Sequence, residues 1–491
     1  MEALTVAFLL VRFLTMARRG RTLLVLLLTA ASAQADTIVL KSGRRITAAS
    51  VMEEGDRVFY ETAVGRLSVR KDQVERIERG GSGAGYSAAD RAADLGIEGP
   101  KVEDQGGEDV VKATLREGNI DRAYLARLEN ESATSAQGAR RVALAHHTAA
   151  QYEAQKGNME GAAGHYRRAL TFAPEHLGLL VSLSYLHLRR SEYTQALEYL
   201  ERARRVDPDS ADAAKLMGWA YYGANKIEQA VGEWKRAMRL RPDADTERAL
   251  EKALRDKETE SEFREGETRH FALRYNGSAA PQLAREILRV LEGHFGAIES
   301  ALEYAPPDQI GVILYTRQEF MNVTRAPSWA GAMNDGRIRV PVQGLTSVTG
   351  ELDLTLRHEL VHSFIHQKGR GRAPIWLHEG VAQWMEGQRS GENAGALVVN
   401  YEQGQYLPMR AMEGAWTAMP PEVADYAYAW SLAIVEYMVQ TSGMGDVARI
   451  LDRLGTESGE GAVRSVLRLD YAQLEAETAK YLKKTYRPPT S

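Results

Sequence analysis

The sequence predicts a multidomain chain: a small β-barrel, then an α-solenoid, then an α+β domain. Three observations predict it. Residues 37–79 alternate in short runs broken by turn signals. Pro174, Pro208 and Pro242 recur 34 residues apart. The segment after residue 267 mixes strand-like and helix-like patterns around two histidines four residues apart. At 491 residues the chain exceeds what one hydrophobic core organises. Its apolar (44%) and charged (26%) fractions are those of ordinary soluble domains. The 62 basic and 66 acidic residues nearly cancel, so no basic surface for nucleic acid is implied. The absence of cysteine excludes disulfides, a thiol nucleophile and a lipid-modified cysteine. Any metal must be held by His, Asp or Glu.

Residues 1–35 read as an export signal. Arg18, Arg19 and Arg21 form a basic region, Leu23 to Leu28 an apolar one, and Ala33-Gln34-Ala35 a small-x-small cleavage pattern that leaves Asp36 as the mature start. A second apolar run, Val6 to Leu14, fits translation from Met16 instead of Met1. An uncleaved anchor is the rival, but the basic cluster breaks the apolar stretch below the ~20 residues a span needs. The expected location is periplasmic or extracellular, with no stable membrane span after cleavage.

Residues 36–80 contain three strand-like runs, Ile38-Val39-Leu40, Val58-Phe59-Tyr60 and Leu67-Ser68-Val69, separated by glycine-bearing turns. This resembles the small Sm-like barrels found at the N-termini of exported bacterial proteins. Residues 81–138, rich in Gly, Ser, Asp and Glu at the start, read as a linker with some helix.

Three repeats are expected over 139–246. Ala162, Ala196 and Ala230 share one register, Ala169, Ala203 and Ala237 another, and Tyr166, Leu200 and Trp234 fill the position between. Small residues let paired helices approach, the bulky one fills the gap, and the proline ends the second helix. The pattern is similar to tetratricopeptide repeats, with Gly218 and Tyr221 also in place. Such an array either offers a groove to a protein partner or acts as a spacer, and the sequence does not choose. Residues 247–266 are expected to cap it as a charged helix and linker.

In the domain expected over 267–488, His270 to Tyr275 and Ile310 to Tyr315 read as strands, and Leu283 to Leu302, Leu352 to Gln367 and Tyr428 to Val439 as helices. The second of these helices contains His358-Glu359-Leu360-Val361-His362. Residues four apart on a helix share a face, so both imidazoles can converge on one cation. Glu359 then points beside the metal, where a base could take a proton from water. Leu354, Leu360, Val361, Phe364 and Ile365 give this helix a buried side, and Glu351 and Asp353 suit its first turn.

Sixteen residues separate His362 from Glu379, which lies within Trp376-Leu-His-Glu-Gly-Val-Ala382. H-E-x-x-H followed by W-L-x-E-G-x-A resembles the gluzincin metallopeptidases, and most specifically the peptidase MA-like group of exported bacterial proteins. The resemblance covers most of 268–440 and implies a zincin-like fold, zinc as cofactor, and Glu379 as third ligand beside His358 and His362. The metzincin alternative needs Gly and His at 365 and 368, where the chain has Ile365 and Lys368. His366 lies roughly 12 Å along the helix from His358 and reads as a surface or supporting histidine. His378 should point away if Glu379 binds metal. Gln383 reads as a supporting or a surface residue.

The segment Gly331-Ala-Met-Asn-Asp335 is similar to the G-A-M-E-N of related aminopeptidases, where the glutamate holds the substrate's free amine. Asn334 stands in its place, followed by Asp335, and a hairpin turn feeding a strand is the reading taken. The resemblance implies that the strand Arg337 to Pro341 is an edge strand along which substrate lies. It also implies that a tyrosine of Tyr426-Ala-Tyr428-Ala-Trp430-Ser431, Tyr428 before Tyr426, holds the oxyanion as an uncharged donor.

The expected function is zinc-dependent hydrolysis of peptide or protein substrates, with Glu359 as general base on water that zinc activates. The alternative is a non-enzymatic repeat scaffold whose metallopeptidase-like domain is inactive or holds a structural zinc. Three ligands plus a base suit an open, catalytic site better than a closed one.

Overall fold

The computed structural model describes residues 36–41, 45–48, 50–54, 57–62, 65–78, 107–132, 135–277, 281–324, 332–342, 344–414, 416 and 419–486. The expected export signal and the first part of the linker lie outside the described residues. Among those described, no helix is long and apolar enough to cross a membrane.

Strands β1 (Asp36–Leu40), β2 (Arg45–Ala48), β3 (Ser50–Glu54), β4 (Arg57–Thr62), β5 (Gly65–Arg70) and β6 (Val74–Glu78) follow the alternating stretch. They form two three-stranded antiparallel sheets, ordered β2-β1-β6 and β3-β4-β5. Among the described residues no ladder joins these sheets into a closed barrel. Their buried Ile38, Leu40, Val58 and Val69 share the core of the C-terminal domain. Arg57 donates to the Glu392 carbonyl (2.9 Å) and the Ser68 amide to the Asn393 side chain (3.3 Å), which fixes the sheets on that domain.

Helix α1 (Glu108–Thr114), the hairpin β7 (Leu115–Arg116) and β8 (Asn119–Ile120), and helix α2 (Arg122–Ser132) come next. Val110, Leu125 and Leu128 pack on Val142, Ala145 and Ala149 of helix α3 (Ala136–Gln155). The repeats then run as α3 with α4 (Met159–Phe172), α5 (Leu177–Arg189) with α6 (Tyr193–Val206), and α7 (Ala211–Gly223) with α8 (Ile227–Leu240). The small positions are fully buried, Ala162, Ala196 and Ala230 all at 0% exposure, as close helix approach requires. At Gly218 a Cβ would lie 2.3 Å from the Trp234 ring, so the glycine makes room for the indole. Helix α9 (Ala244–Glu260), capped by Asp243, closes the array through Ala249 and Ala253.

The turn inside each repeat carries Gly157, Ser191 or Asn225, one period apart and all at positive φ (81°, 54° and 58°). All three turns dock on the C-terminal domain. The Gly157 carbonyl accepts from Arg372, Thr194 beside Ser191 donates to Asp308 (2.6 Å), and Asn225 accepts from Arg337 (3.2 Å). The array therefore meets the domain along one edge, with contacts in every period.

The C-terminal domain is built on a five-stranded sheet, ordered β12-β13-β11-β10-β9. Its strands are β9 (Arg264–Glu267), β10 (Phe271–Tyr275), β11 (Ile310–Tyr315), β12 (Met333–Asn334) and β13 (Arg337–Pro341). Strands β10, β11 and β13 run parallel, while β9 and β12 are antiparallel edges. The expectation of β13 as the edge strand is thus corrected. It is flanked by β11 and β12, and the edge position belongs to Met333–Asn334. The hairpin turn at Asn334-Asp335-Gly336 holds, with Gly336 at φ 94°.

Successive side chains on a strand face opposite ways. Leu273, Val312, Leu314, Ile338 and Val340 join the core shared with helices α10 (Pro281–Leu302) and α12 (Gly350–Lys368). Ile313 and Tyr315 face the other way and pack with Phe320 and Val323 of α11 (Arg317–Thr324). Arg337 and Arg339 share that second face and meet α9. The remaining helices are α13 (Ile375–Met385), α14 (Ala394–Glu402), α15 (Pro421–Ser442), α16 (Met444–Arg453), α17 (Gly459–Leu467) and α18 (Tyr471–Thr485).

Candidate metal centre

Helix α12 starts where the Thr349 side chain accepts from the Leu352 amide, with Glu351 and Asp353 in its first turn. It ends at Gly369, and Arg370 (φ 56°) and Gly371 (φ 67°) turn the chain toward α13. Pro374 precedes α13, which crosses α15 closely: a Cβ on Gly380 would lie 2.4 Å from the Ser431 carbonyl oxygen. This glycine brings Glu379 against α12.

His358, His362 and Glu379 converge there, their ligand atoms all within 4.8 Å of one another. Nε2 of His358 lies 3.5 Å from one Glu379 oxygen, and Nε2 of His362 lies 3.6 Å from the other. Those separations sit close to the ~3.3 Å expected between ligands ~2.05 Å from a tetrahedral centre. His362 is 4% exposed, and neither of its ring nitrogens has a hydrogen-bond partner. Two such nitrogens in a buried ring are costly unless something accepts them. With two imidazoles and one carboxylate, the donor set suits a borderline divalent ion such as zinc.

Burial tends to lower the His358 pKa, but the carboxylates of Glu386 and Glu379 raise it well above the ordinary value. Nδ1 of His358 is hydrogen-bonded to Glu386, which leaves Nε2 directed at Glu379. The carboxylate thereby sets the tautomer and ring orientation, as partners of ligating histidines do. Glu386 was not legible as a site residue from motif matching. Its signal is the seven-residue spacing from Glu379, two helical turns along the same face.

Glu359 is buried, and its Oε2 has no hydrogen-bond partner. Burial first, then the neighbouring carboxylates of Glu379 and Glu386, push its pKa up to about 7 against the opposing effect of His358. A carboxyl tuned there can accept and return a proton near neutrality.

Helix periodicity separates the other candidates. His366 is half-buried, beside Gly371 where the Arg189 carbonyl of the repeat array also approaches. Burial, then Arg189, hold its pKa down at about 4. His378 is not one of the converging trio; its ring lies 5.5 Å from that of His362, and burial lowers its pKa to about 3. Both line a cavity of ≈ 30 Å³ bounded also by Asn334, Ser363 and Tyr193. Gln383 is buried and supporting: its Nε2 donates to the carbonyls of Glu379 (3.1 Å) and Tyr428 (3.0 Å), tying α13 to α15. Tyr428 is half-buried with its ring perpendicular to Trp416 at 5.1 Å. Tyr426, two residues earlier, faces the core against Trp430 and is fully buried. Asn334 is buried against α12, and Asp335 is held by Lys252 and Arg339, so neither presents a free carboxylate.

Residues 309–484 match the family model of the peptidase MA superfamily, and residues 187–251 that of a tetratricopeptide repeat. No curated protein matches the chain.

Proposed function

We propose that this chain, which carries a peptidase MA superfamily domain behind tetratricopeptide repeats, is an exported zinc metallopeptidase of the gluzincin type. The observation that carries the reading is the convergence of His358, His362 and Glu379 beside a buried Glu359. The two histidines and Glu379 would hold the ion. When bound, zinc supplies Lewis acidity and makes water a stronger acid. Glu359 accepts the proton of the attacking water and returns it to the departing amine. Glu386 keeps His358 in the tautomer that presents Nε2. Tyr428 serves as the uncharged donor to the oxyanion, supported by its place on α15, which crosses the helix of Glu379.

Substrate lies beside the β12–β13 hairpin. Export to the periplasm or outside the cell is supported by the basic, apolar and Ala33-Gln34-Ala35 segments at the N-terminus. The N-terminal strands, read as a small Sm-like barrel, and the repeats localise the enzyme or recruit its substrate, the repeats through a groove for a protein partner.

Elemental analysis of the purified chain beside its Glu379→Ala variant, together with peptide hydrolysis, tests the reading. About one zinc per chain, lost in the variant along with hydrolysis, is expected. A parent that takes up no metal when zinc is supplied sinks it and leaves a repeat scaffold.

A further inference from the structure

Asn334 sits on the edge strand at 3% exposure. Its Nδ2 donates to the main-chain carbonyl of Glu359 and to Oγ of Ser363, both at 2.7 Å, and its Oδ1 accepts from the Gly336 amide at 3.1 Å. A carbonyl only accepts and an amide N–H only donates, so the carboxamide has one orientation. The Glu359 carbonyl lies mid-helix, so the bond from Asn334 is an added link between sheet and helix.

The hairpin that carries Asn334 is itself immobilised from behind. Asp335 accepts from Lys252 of α9 and from Nε of Arg339 (3.1 Å). Arg339 in turn donates to Tyr222 of the third repeat (2.8 Å) and to Asp256 (2.9 Å). A chain of buried polar contacts therefore runs from the repeat array through the hairpin to the helical turn that holds Glu359.

We propose that Asn334 is a positioning residue that locks the β12–β13 hairpin to the turn of α12 carrying Glu359, with the repeat array as its anchor. It fixes the separation between the base and any peptide lying beside the hairpin. Only the kinetic half of the proposal rests on the peptidase reading.

The test compares the full-length, zinc-loaded parent with Asn334→Ala, Asn334→Asp and Ser363→Ala. It reads hydrogen exchange of amides 359–367, zinc content, and kcat and KM on an internally quenched peptide selected from a mixed-sequence library with the parent. Asn334→Ala should retain its zinc, exchange faster over 359–367, and lose about tenfold or more in kcat with KM unchanged. Asn334→Asp, which sets an acceptor against the Glu359 carbonyl, should move the same way. Ser363→Ala removes one of the two contacts without touching the hairpin, and should give a smaller change in the same direction. It decides the matter if the Asn334 variants do not fold. Exchange and kcat equal to those of the parent in the folded variants overturn the proposal. A parent that cleaves no peptide defeats the peptidase reading, while the exchange comparison still decides the role of Asn334.

Discussion

Arg337 of strand β13 donates to Asp256 of helix α9 where neither side chain has any exposure to solvent. Asp256 also accepts from Arg339 and from the Tyr222 hydroxyl (2.6 Å), and Glu260 stands one turn on, against both arginines. Burial opposes ionisation of Asp256, but the two guanidiniums outweigh it and lower its pKa. The repeats and the sheet of the C-terminal domain are thus joined through a buried ionic seam.

Removing one member of such a network leaves the others buried and uncompensated. Asp256→Ala should destabilise the protein by about 3–5 kcal/mol. Denaturant unfolding followed by tryptophan fluorescence should show the midpoint falling for array and C-terminal domain together, since Trp234 and Trp376 report the two parts. An unchanged midpoint would mean that the seam is not structural.

Glu359→Gln should separate binding from chemistry. The amide cannot accept a proton, so peptide hydrolysis should fall by roughly 10²–10⁴ while zinc content stays at the parent level. Loss of zinc in this variant would argue that Glu359 is a ligand rather than the base.

Glu386→Gln removes the charge that holds the His358 ring. Metal affinity, measured by competition with a chromophoric chelator, should weaken about 10- to 100-fold. Parent-like affinity would show that the contact is incidental.

Gly380→Ala should act through space alone. The new Cβ would meet the Ser431 carbonyl at 2.4 Å and Val435 at 2.6 Å. Neither is the end of a flexible chain, so the cost should be about 1–3 kcal/mol, with zinc binding weakened as Glu379 is pushed back. Thermal melting of the apo and zinc-loaded forms reads both effects.

Acid should destabilise the fold through His366. It is held neutral in the native state down to about pH 4, whereas the unfolded chain takes up the proton near 6.5. Between those values the unfolded state binds one more proton, so stability rises with pH by about 1.4 kcal/mol per unit and is lost on acidification. Denaturation at a series of pH values should show this slope in the parent and less of it in His366→Gln. Equal slopes would remove His366 as the cause.

Periodicity made the repeats legible, because Ala162, Ala196 and Ala230 answer to a packing rule that recurs with each unit. The ligand trio was legible for a related reason: His358 and His362 share a helix face by spacing alone, and Glu379 followed from a motif. The strand Arg337–Pro341 misled. It is expected at the sheet edge with substrate beside it, yet β12 pairs with its outer side and its Arg337 and Arg339 are buried beneath α9. Polar alternation marks which side a residue faces, not what covers that side.

The sequence by itself determined the order of the repeats and the peptidase MA domain, and it singled out the candidate ligands and the candidate base, because helix spacing, residue chemistry and a motif carry them. Only the tertiary structure decided that Glu386 orients His358, that Asn334 is spent on the Glu359 carbonyl, and that the repeat turns at Gly157, Ser191 and Asn225 dock edge-on. These contacts join residues far apart in the chain, and no periodicity or spacing encodes which surfaces meet when separate elements are packed to exclude water.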